Sequence, residues 1–241
     1  MTLEKWLIHP GETRVIDLDD VRKLKIGLVG GQIDVVGHDE PGVRIEVHAV
    51  TVKDLRIEVS GDVVEIDHPQ LRWDNFLEVF RNFGAGGPKA EISVAVPRDI
   101  ALTLGVVNAS ALVSGLASEA RLNTVSGDIA ATGTIRKATV DTVSGAMLVD
   151  SAGPVHGVSL NTVSGNATVR IDEGLPANYV LRSVSGRVLV DGVVRSGQGT
   201  GPTTNYTGSA GELSGTFVDV RVNSVSGDIT VLRRPEPEEE W

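Results

Sequence analysis

Apolar and polar residues alternate along most of the chain, in the period of two that is typical of half-buried β-strands. Between residues 13 and 66 the alternation forms short runs that are separated by turn sequences such as Gly30-Gly31 and residues 39–42. The runs comprise Leu24, Ile26 and Leu28, then Ile33 and Val35, then Val43, Ile45 and Val47, then Leu55, Ile57 and Val59, then Val64 and Ile66. A further pair of runs covers residues 92–96 and 100–106. The pattern predicts an all-β protein.

The second half of the chain repeats a short motif, Val-Ser-Gly, followed by further alternation. The motif occurs five times, and its serines are 18, 20, 21 and 41 residues apart: Ser126, Ser144, Ser164, Ser185 and Ser226. Repeats of this length are typical of units that stack on one another. The sequence therefore predicts a β-solenoid whose rungs contain about 18 to 21 residues.

The motif also predicts how each rung is oriented. We expect the valine to face inward, the serine to face outward or to lie at a corner, and the glycine to lie where the strand bends or another backbone comes close. Stacking would place one polar residue of each copy in a single file, formed by Asn123, Asp141, Asn161, Arg182 and Asn223. A corner ladder that satisfies backbone groups is favoured for this file over a row of ligand-binding residues, because Arg182 breaks the amide chemistry.

These patterns divide the chain into segments. Residues 1–12 are predicted to form an N-terminal arm, residues 13–106 a less regular N-terminal β region, and residues 107–232 the repeat solenoid. Residues 194–211 are rich in glycine, serine and threonine and are predicted to be a flexible insertion, with Arg195, Asn205 and Tyr206 as its candidate contact residues. Residues 233–241 are predicted to be a disordered acidic tail.

One segment, residues 71–83, departs from the strand pattern. Its aromatic residues lie at helical spacing, which predicts a short amphipathic helix. Such a helix would pack on the sheet or cover an end of the solenoid. The alternative is a docking face for a protein partner or a second copy of the chain, because large aromatic residues concentrate at interface hot spots. The candidate interface residues are Trp73, Phe76, Phe80 and Phe83.

Composition narrows the classes of partner. The chain has 22 basic and 32 acidic residues and a net charge of −10, which disfavours nucleic acid and anionic membranes as partners. It has no cysteine, so disulfides and thiolate metal sites are excluded. No apolar run is long enough to predict direct membrane insertion, and no secretion signal is recognised, so a cytoplasmic location is expected.

The residue types that carry catalysis are present but are not arranged for it. The five histidines lack metal-binding spacings, and the Gly30-Gly31 turn lacks the lysine of a phosphate-binding loop. The motif serines have no regularly placed base, and the position after each motif glycine shows no cluster of carboxylates. We therefore predict no catalytic, cofactor-binding or metal-binding residues, no identifiable small-molecule ligand and no enzymatic activity. A carbohydrate-active enzyme on a β-helix is the enzymatic alternative.

Three stretches together resemble a known family: the Thr/Ser-Val-Ser-Gly units, residues 94–102 and residues 28–35. Over residues 13–232 the chain is similar to the bacterial β-strand-repeat proteins called putative adhesins or toastrack domains. The resemblance implies a single-stranded right-handed β-solenoid, and several family members accompany envelope-stress signalling systems. The expected function is a non-catalytic scaffold or interaction module, with a protein partner or self-association. A surface adhesin or carbohydrate-binding module is the alternative.

Overall fold

A computed structural model describes residues 3–69, 87–195, 203–212 and 215–235. All regular elements in these ranges are β-strands, so the predicted all-β class is confirmed for the described chain. The predicted helix at residues 71–83 lies outside the described residues.

Twenty strands are hydrogen-bonded into one network, and two of them are long enough to cross from one half of the network to the other. The first ten are β1 (Leu3–Ile8), β2 (Arg14–Leu18), β3 (Lys23–His38), β4 (Val43–Thr51), β5 (Leu55–Ser60), β6 (Val63–Asp67), β7 (Lys89–Pro97), β8 (Ala101–Leu116), β9 (Glu119–Ser126) and β10 (Ile129–Gly133). The others are β11 (Lys137–Ser144), β12 (Met147–Ser151), β13 (Gly157–Ser164), β14 (Ala167–Asp172), β15 (Ala177–Ser183), β16 (Val188–Val190), β17 (Val193–Arg195), β18 (Thr204–Ala210), β19 (Val218–Ser226) and β20 (Ile229–Arg234).

The strands form two ladders, which we call ladder A and ladder B. Ladder A runs in the order β1, β5, β6, β3, β8, β9, β11, β13, β19, β15 and β18. Ladder B runs in the order β2, β4, β7, β3, β8, β10, β12, β14, β20, β16 and β17. The strands from β6 to β15 in ladder A and from β7 to β16 in ladder B pair in parallel, whereas the outer strands pair antiparallel.

We call two consecutive strands, the first in ladder A and the second in ladder B, a unit; β13–β14 is an example. The order of the units along the ladders differs from their order in the chain. The last unit, β19–β20, lies between β13–β14 and β15–β16 in both ladders. β3 likewise lies between β6 or β7 and β8, which follow it in the chain. The sequence predicts only a simple succession of units, because all copies of the motif read alike.

Small aliphatic side chains fill the space between the ladders. In ladder A the inward column contains Leu104, Leu122, Val140, Leu160, Val222 and Leu181, all at 0% exposure. In ladder B the corresponding column contains Val113, Ala131, Val149, Val169, Val231 and Val190. Parallel strands lie about 4.8 Å apart, so each column packs side chains of similar size directly over one another. This explains why a chain with only 4% aromatic residues has a continuous core.

Several predicted boundaries differ from the observed ones. The N-terminal arm contains β1, which pairs with β5, and β8 continues through residues 106 and 107, where we predicted a change of region. The insertion is not a simple loop, since β17 and β18 add antiparallel strands to β16 and β15. The tail prediction began too early, because β20 extends to Arg234 and its partner β14 orders residues 233 and 234. Residues 236–241 lie outside the described residues.

Candidate interaction groove

The motif glycines lie where neighbouring backbones nearly touch. A Cβ atom built on Gly145 would be 2.2 Å from the carbonyl oxygen of Gly127, and one on Gly165 would be 2.0 Å from that of Gly145. Gly227 and Gly186 repeat the relationship toward the end of the stack. The predicted role of the glycine as a site of close backbone approach is confirmed, because no other residue fits this column.

The predicted orientation of the motif valine is wrong. Val143, Val163, Val184 and Val225 are 45–49% exposed, and only Val125 is buried. The inward alternation continues from Leu122 to Thr124, so the residue before the valine faces the core and the chain turns at the glycine. We expected a corner at the polar file, because Leu122 and Val125 are three residues apart and both face the core only if the chain bends between them.

The inward threonines and serine form a buried column of hydroxyl groups. Thr124, Thr142, Thr162 and Ser224 are in register in adjacent strands and are 4–6% exposed. Their hydroxyl oxygens have no hydrogen-bond partner among the described residues. Ser183 ends the column differently, because its hydroxyl accepts a hydrogen bond from the amide of Gly186 at 2.8 Å. The column lies directly behind the outward valines.

The outward valines form a continuous apolar strip that we call the valine stripe: Val143, Val163, Val225 and Val184, in ladder order. Isolated exposed valines are common on protein surfaces. Here they repeat in four adjacent strands, about 4.8 Å apart, so they form one patch rather than scattered contacts.

The polar file that we predicted lies beside the valine stripe, two residues earlier in each strand. The registers place its members in the order Asn123, Asp141, Asn161, Asn223 and Arg182. The Asn161 amide donates to Asp141 Oδ1 at 2.7 Å, and the Asn223 amide donates to Asn161 Oδ1 at 2.9 Å. Asp141, Asn161 and Asn223 therefore bond to one another through their side chains, rather than to backbone groups as we predicted.

The valine stripe and the polar file line an open groove with a volume of about 600 Å³. Thr203 and Asn205 close the groove at its β18 end. Among the described residues that line it, one side chain is acidic, Asp141, one is basic, Arg182, and none is aromatic. The groove thus presents apolar surface next to amide groups and little net charge.

A second concavity, of about 520 Å³, lies on ladder B just beyond the glycine column. Its polar residues mainly bind the adjacent backbone: Asp128 accepts from the Ala146 amide at 2.8 Å, and Asn166 accepts from the Asp228 amide at 3.1 Å. In the next strand Asp228 accepts from the Arg187 amide and guanidinium. Those hydrogen bonds lower the pKa of the Asp228 carboxyl. These polar side chains therefore connect neighbouring strands of the stack.

The three candidate contact residues of the insertion do not lie together on the surface. Tyr206 packs against the core, and the Arg195 guanidinium stacks over its ring at 5.5 Å from the centroid. Both side chains cover the end of the core. Only Asn205 lines the groove. The candidate interface residues Trp73, Phe76, Phe80 and Phe83 lie outside the described residues.

Two of the histidines, His9 and His68, make polar contacts with Asp54. His9 Nδ1 lies 2.9 Å from Asp54 Oδ1, and this contact raises the pKa of His9. His68 is fully buried, its Nδ1 donates to the Asp54 carbonyl at 3.1 Å, and burial lowers its pKa. Within the described ranges no three histidine, aspartate or glutamate residues cluster as metal ligands would. In the same ranges no helix is long and apolar enough to cross a membrane.

Known proteins resemble this chain in sequence and in fold. The profile of the family Toastrack DUF4097 matches residues 111–232. A crystal structure described as a "putative cell adhesion protein" from Clostridium sporogenes superimposes with a TM-score of 0.50 at 14% identity, covering 94% of this chain and 100% of that one. A "putative adhesin" from Bacteroides fragilis gives a TM-score of 0.43 at 13% identity, with coverage of 92% and 98%. No curated protein matches the sequence significantly.

Proposed function

Since the chain belongs to the toastrack family, whose profile covers half of it, we propose that it is a non-catalytic interaction module that binds a protein partner in the groove. The observation that carries the proposal is the valine stripe, four half-exposed valines in adjacent strands. A partner segment with small apolar side chains would bury this strip, while its backbone would meet the amides of Asn161 and Asn223.

The same proposal includes a single right-handed solenoid as the scaffold. Its support is the parallel register from β8 through β9, β11, β13 and β19, with corresponding pairing in ladder B. A scaffold of this kind holds outward residues of successive units at a fixed spacing. The groove would therefore be a rigid surface, and binding would cost little ordering of the module itself.

The size of the effect follows from the exposed area. Burying the exposed half of one valine contributes about 0.5 to 1 kcal/mol. Replacing Val143 and Val163 together with serine should therefore weaken partner binding by about 5- to 30-fold. Both side chains face outward, so the fold should be retained.

The test is affinity capture from the native cell with the wild-type chain and the V143S/V163S variant. The matched control is V36S/L112S, because Val36 and Leu112 are 47% and 46% exposed on other strands. We expect the specific partner to be retained by the wild type and the control and lost with the groove variant. Retention by the groove variant would show that the partner binds elsewhere.

A surface adhesin or carbohydrate-binding module is the second candidate, because the Clostridium sporogenes structure is described as a cell adhesion protein. Sugar-binding sites commonly stack a ring on an aromatic side chain, and the part of the groove lining that the structure describes has none. Cell fractionation separates the two candidates: recovery in the cytoplasm favours the interaction module, and recovery at the cell surface favours the adhesin. Polysaccharide turnover would contradict both and indicate an enzyme.

A further inference from the structure

Four strands pair on one side only in the part of the chain that the structure describes: β1 and β2 at one end of the ladders, β17 and β18 at the other. Open edges invite pairing with other chains, and proteins commonly block them with charges, proline or very short strands. β1 carries Glu4 and Lys5, β2 carries Arg14 and Asp17, and β17 has only three residues.

β18 lacks each of these protections. Its seven residues, Thr-Asn-Tyr-Thr-Gly-Ser-Ala, include no charged residue and no proline. It pairs along its full length with β15, which orders its backbone for pairing on the other side. Thr204, Tyr206, Gly208 and Ala210 face the core side yet are only partly buried. The edge is therefore a regular strand that the described residues cover incompletely.

The sequence of β18 is also complementary to itself. In an antiparallel pair of two β18 strands centred on Thr207, Tyr206 would lie opposite Gly208, Asn205 opposite Ser209 and Thr204 opposite Ala210. Two of these pairs join a larger residue to a smaller one, and Asn205 and Ser209 can form a hydrogen bond. Thr207 lies opposite Thr207 of the other copy. Of the symmetric registers, this one alone pairs all seven residues.

We propose that β18 is the edge at which two copies of this chain join, antiparallel, with the two-fold axis at Thr207. The contact continues ladder A from one copy into the other and satisfies the outer backbone groups of both edges.

The symmetry supplies a direct test, because residue 207 faces itself. In T207K two ammonium groups would be opposed, and in T207E two carboxylates, so each variant alone should have the mass of a monomer in sedimentation analysis. An equimolar mixture of T207K and T207E should recover the wild-type dimer, since the opposed charges then attract. The control is T134K, which adds the same charge at an exposed bend after β10 and should remain dimeric.

Cross-linking tests the register independently of charge. The chain has no cysteine, so T207C introduces the only thiol. Directly opposed Cα atoms lie about 4.5 to 5.5 Å apart, within disulfide range, and a mild oxidant should link T207C into a covalent dimer. In the same register the two copies of residue 209 are four residues apart, about 13 Å, so S209C should not cross-link.

A monomeric wild type would overturn the proposal. So would a dimer that survives both T207K and T207E, or a mixture of the two that stays monomeric while each variant keeps its fold by circular dichroism. Efficient cross-linking of S209C with none for T207C would likewise reject the register. The V143S/V163S variant should dimerise normally, which separates this edge from the groove.

Discussion

Replacing Gly145 with alanine tests the glycine column on which the stack depends. Gly145 has a φ of +133°, which side chains rarely adopt, and its amide donates to the Ser164 carbonyl at 3.2 Å. An added Cβ would lie 2.2 Å from the Gly127 carbonyl oxygen and 2.8 Å from the Gly127 carbonyl carbon, whereas ordinary contacts begin near 3.4 Å. The neighbouring unit must therefore move away, and no flexible side chain can yield instead.

Two costs add in this variant. The backbone conformation costs about 1 to 3 kcal/mol for a residue other than glycine. Moving the units apart lengthens the flanking ladder bonds, such as that from the Gly127 amide to the Ser144 carbonyl, each of which contributes about 1 kcal/mol. We expect G145A to lose about 3 to 5 kcal/mol, a large share of the 5 to 15 kcal/mol typical of a domain.

Gly192 is the matched control, because its φ is +75° but no atom lies within 4 Å of an added Cβ. G192A should lose only the conformational cost, about 1 to 2 kcal/mol. Equilibrium unfolding in urea, followed by circular dichroism, measures both losses from the midpoint at unchanged slope. Equal losses in the two variants would refute the steric argument, because only Gly145 has a backbone in the way.

Two further variants address the buried polar groups. T162V should stabilise the protein by about 1 kcal/mol in the same assay, because the Thr162 hydroxyl is buried without a partner among the described residues. A loss of stability would show that this hydroxyl is bonded. The control is T168V, at a half-exposed outward position. Burial lowers the pKa of His68, so the folded state disfavours its protonation. The free energy of unfolding should therefore fall as the pH drops below about 6.5, the pKa of histidine in the unfolded chain. H68Q should remove that fall. His9, whose pKa is raised by Asp54, acts with the opposite sign, so the informative quantity is the difference between wild type and H68Q; parallel pH profiles would contradict the assignment.

The strand class, the glycine contacts and the polar file were all predictable, because each depends on a local pattern that recurs in every copy. The groove was missed for a specific reason. Leu122 and Val125 are both apolar and three residues apart, so we expected both to face the core with a bend between them. The observed alternation instead continues from Leu122 to Thr124 without a bend. Reading each strand from its first apolar residue up to the glycine would have shown the valines to be outward.

Other features could not be predicted from local pattern. The exchange of the last two units is invisible in the sequence, because their motif segments, residues 181–190 and 222–231, alternate identically. β18 has a single large apolar side chain, Tyr206, so its seven residues read as a loop. It forms a strand because β15 offers a paired edge, which is a tertiary cause.

The position of β19 and β20 has a consequence for how the chain folds. β19 and β20 follow β15 and β16 in the chain, yet they fill an interior position between units that were synthesised earlier. Growth of the stack one unit at a time in chain order would therefore leave β15 and β16 without their parallel neighbours until β19 and β20 have been synthesised. Most repeat arrays propagate through contacts between successive units, whereas this one needs a late, long-range insertion. The end of the stack therefore reaches its native structure only after β19 and β20 have inserted between β13–β14 and β15–β16.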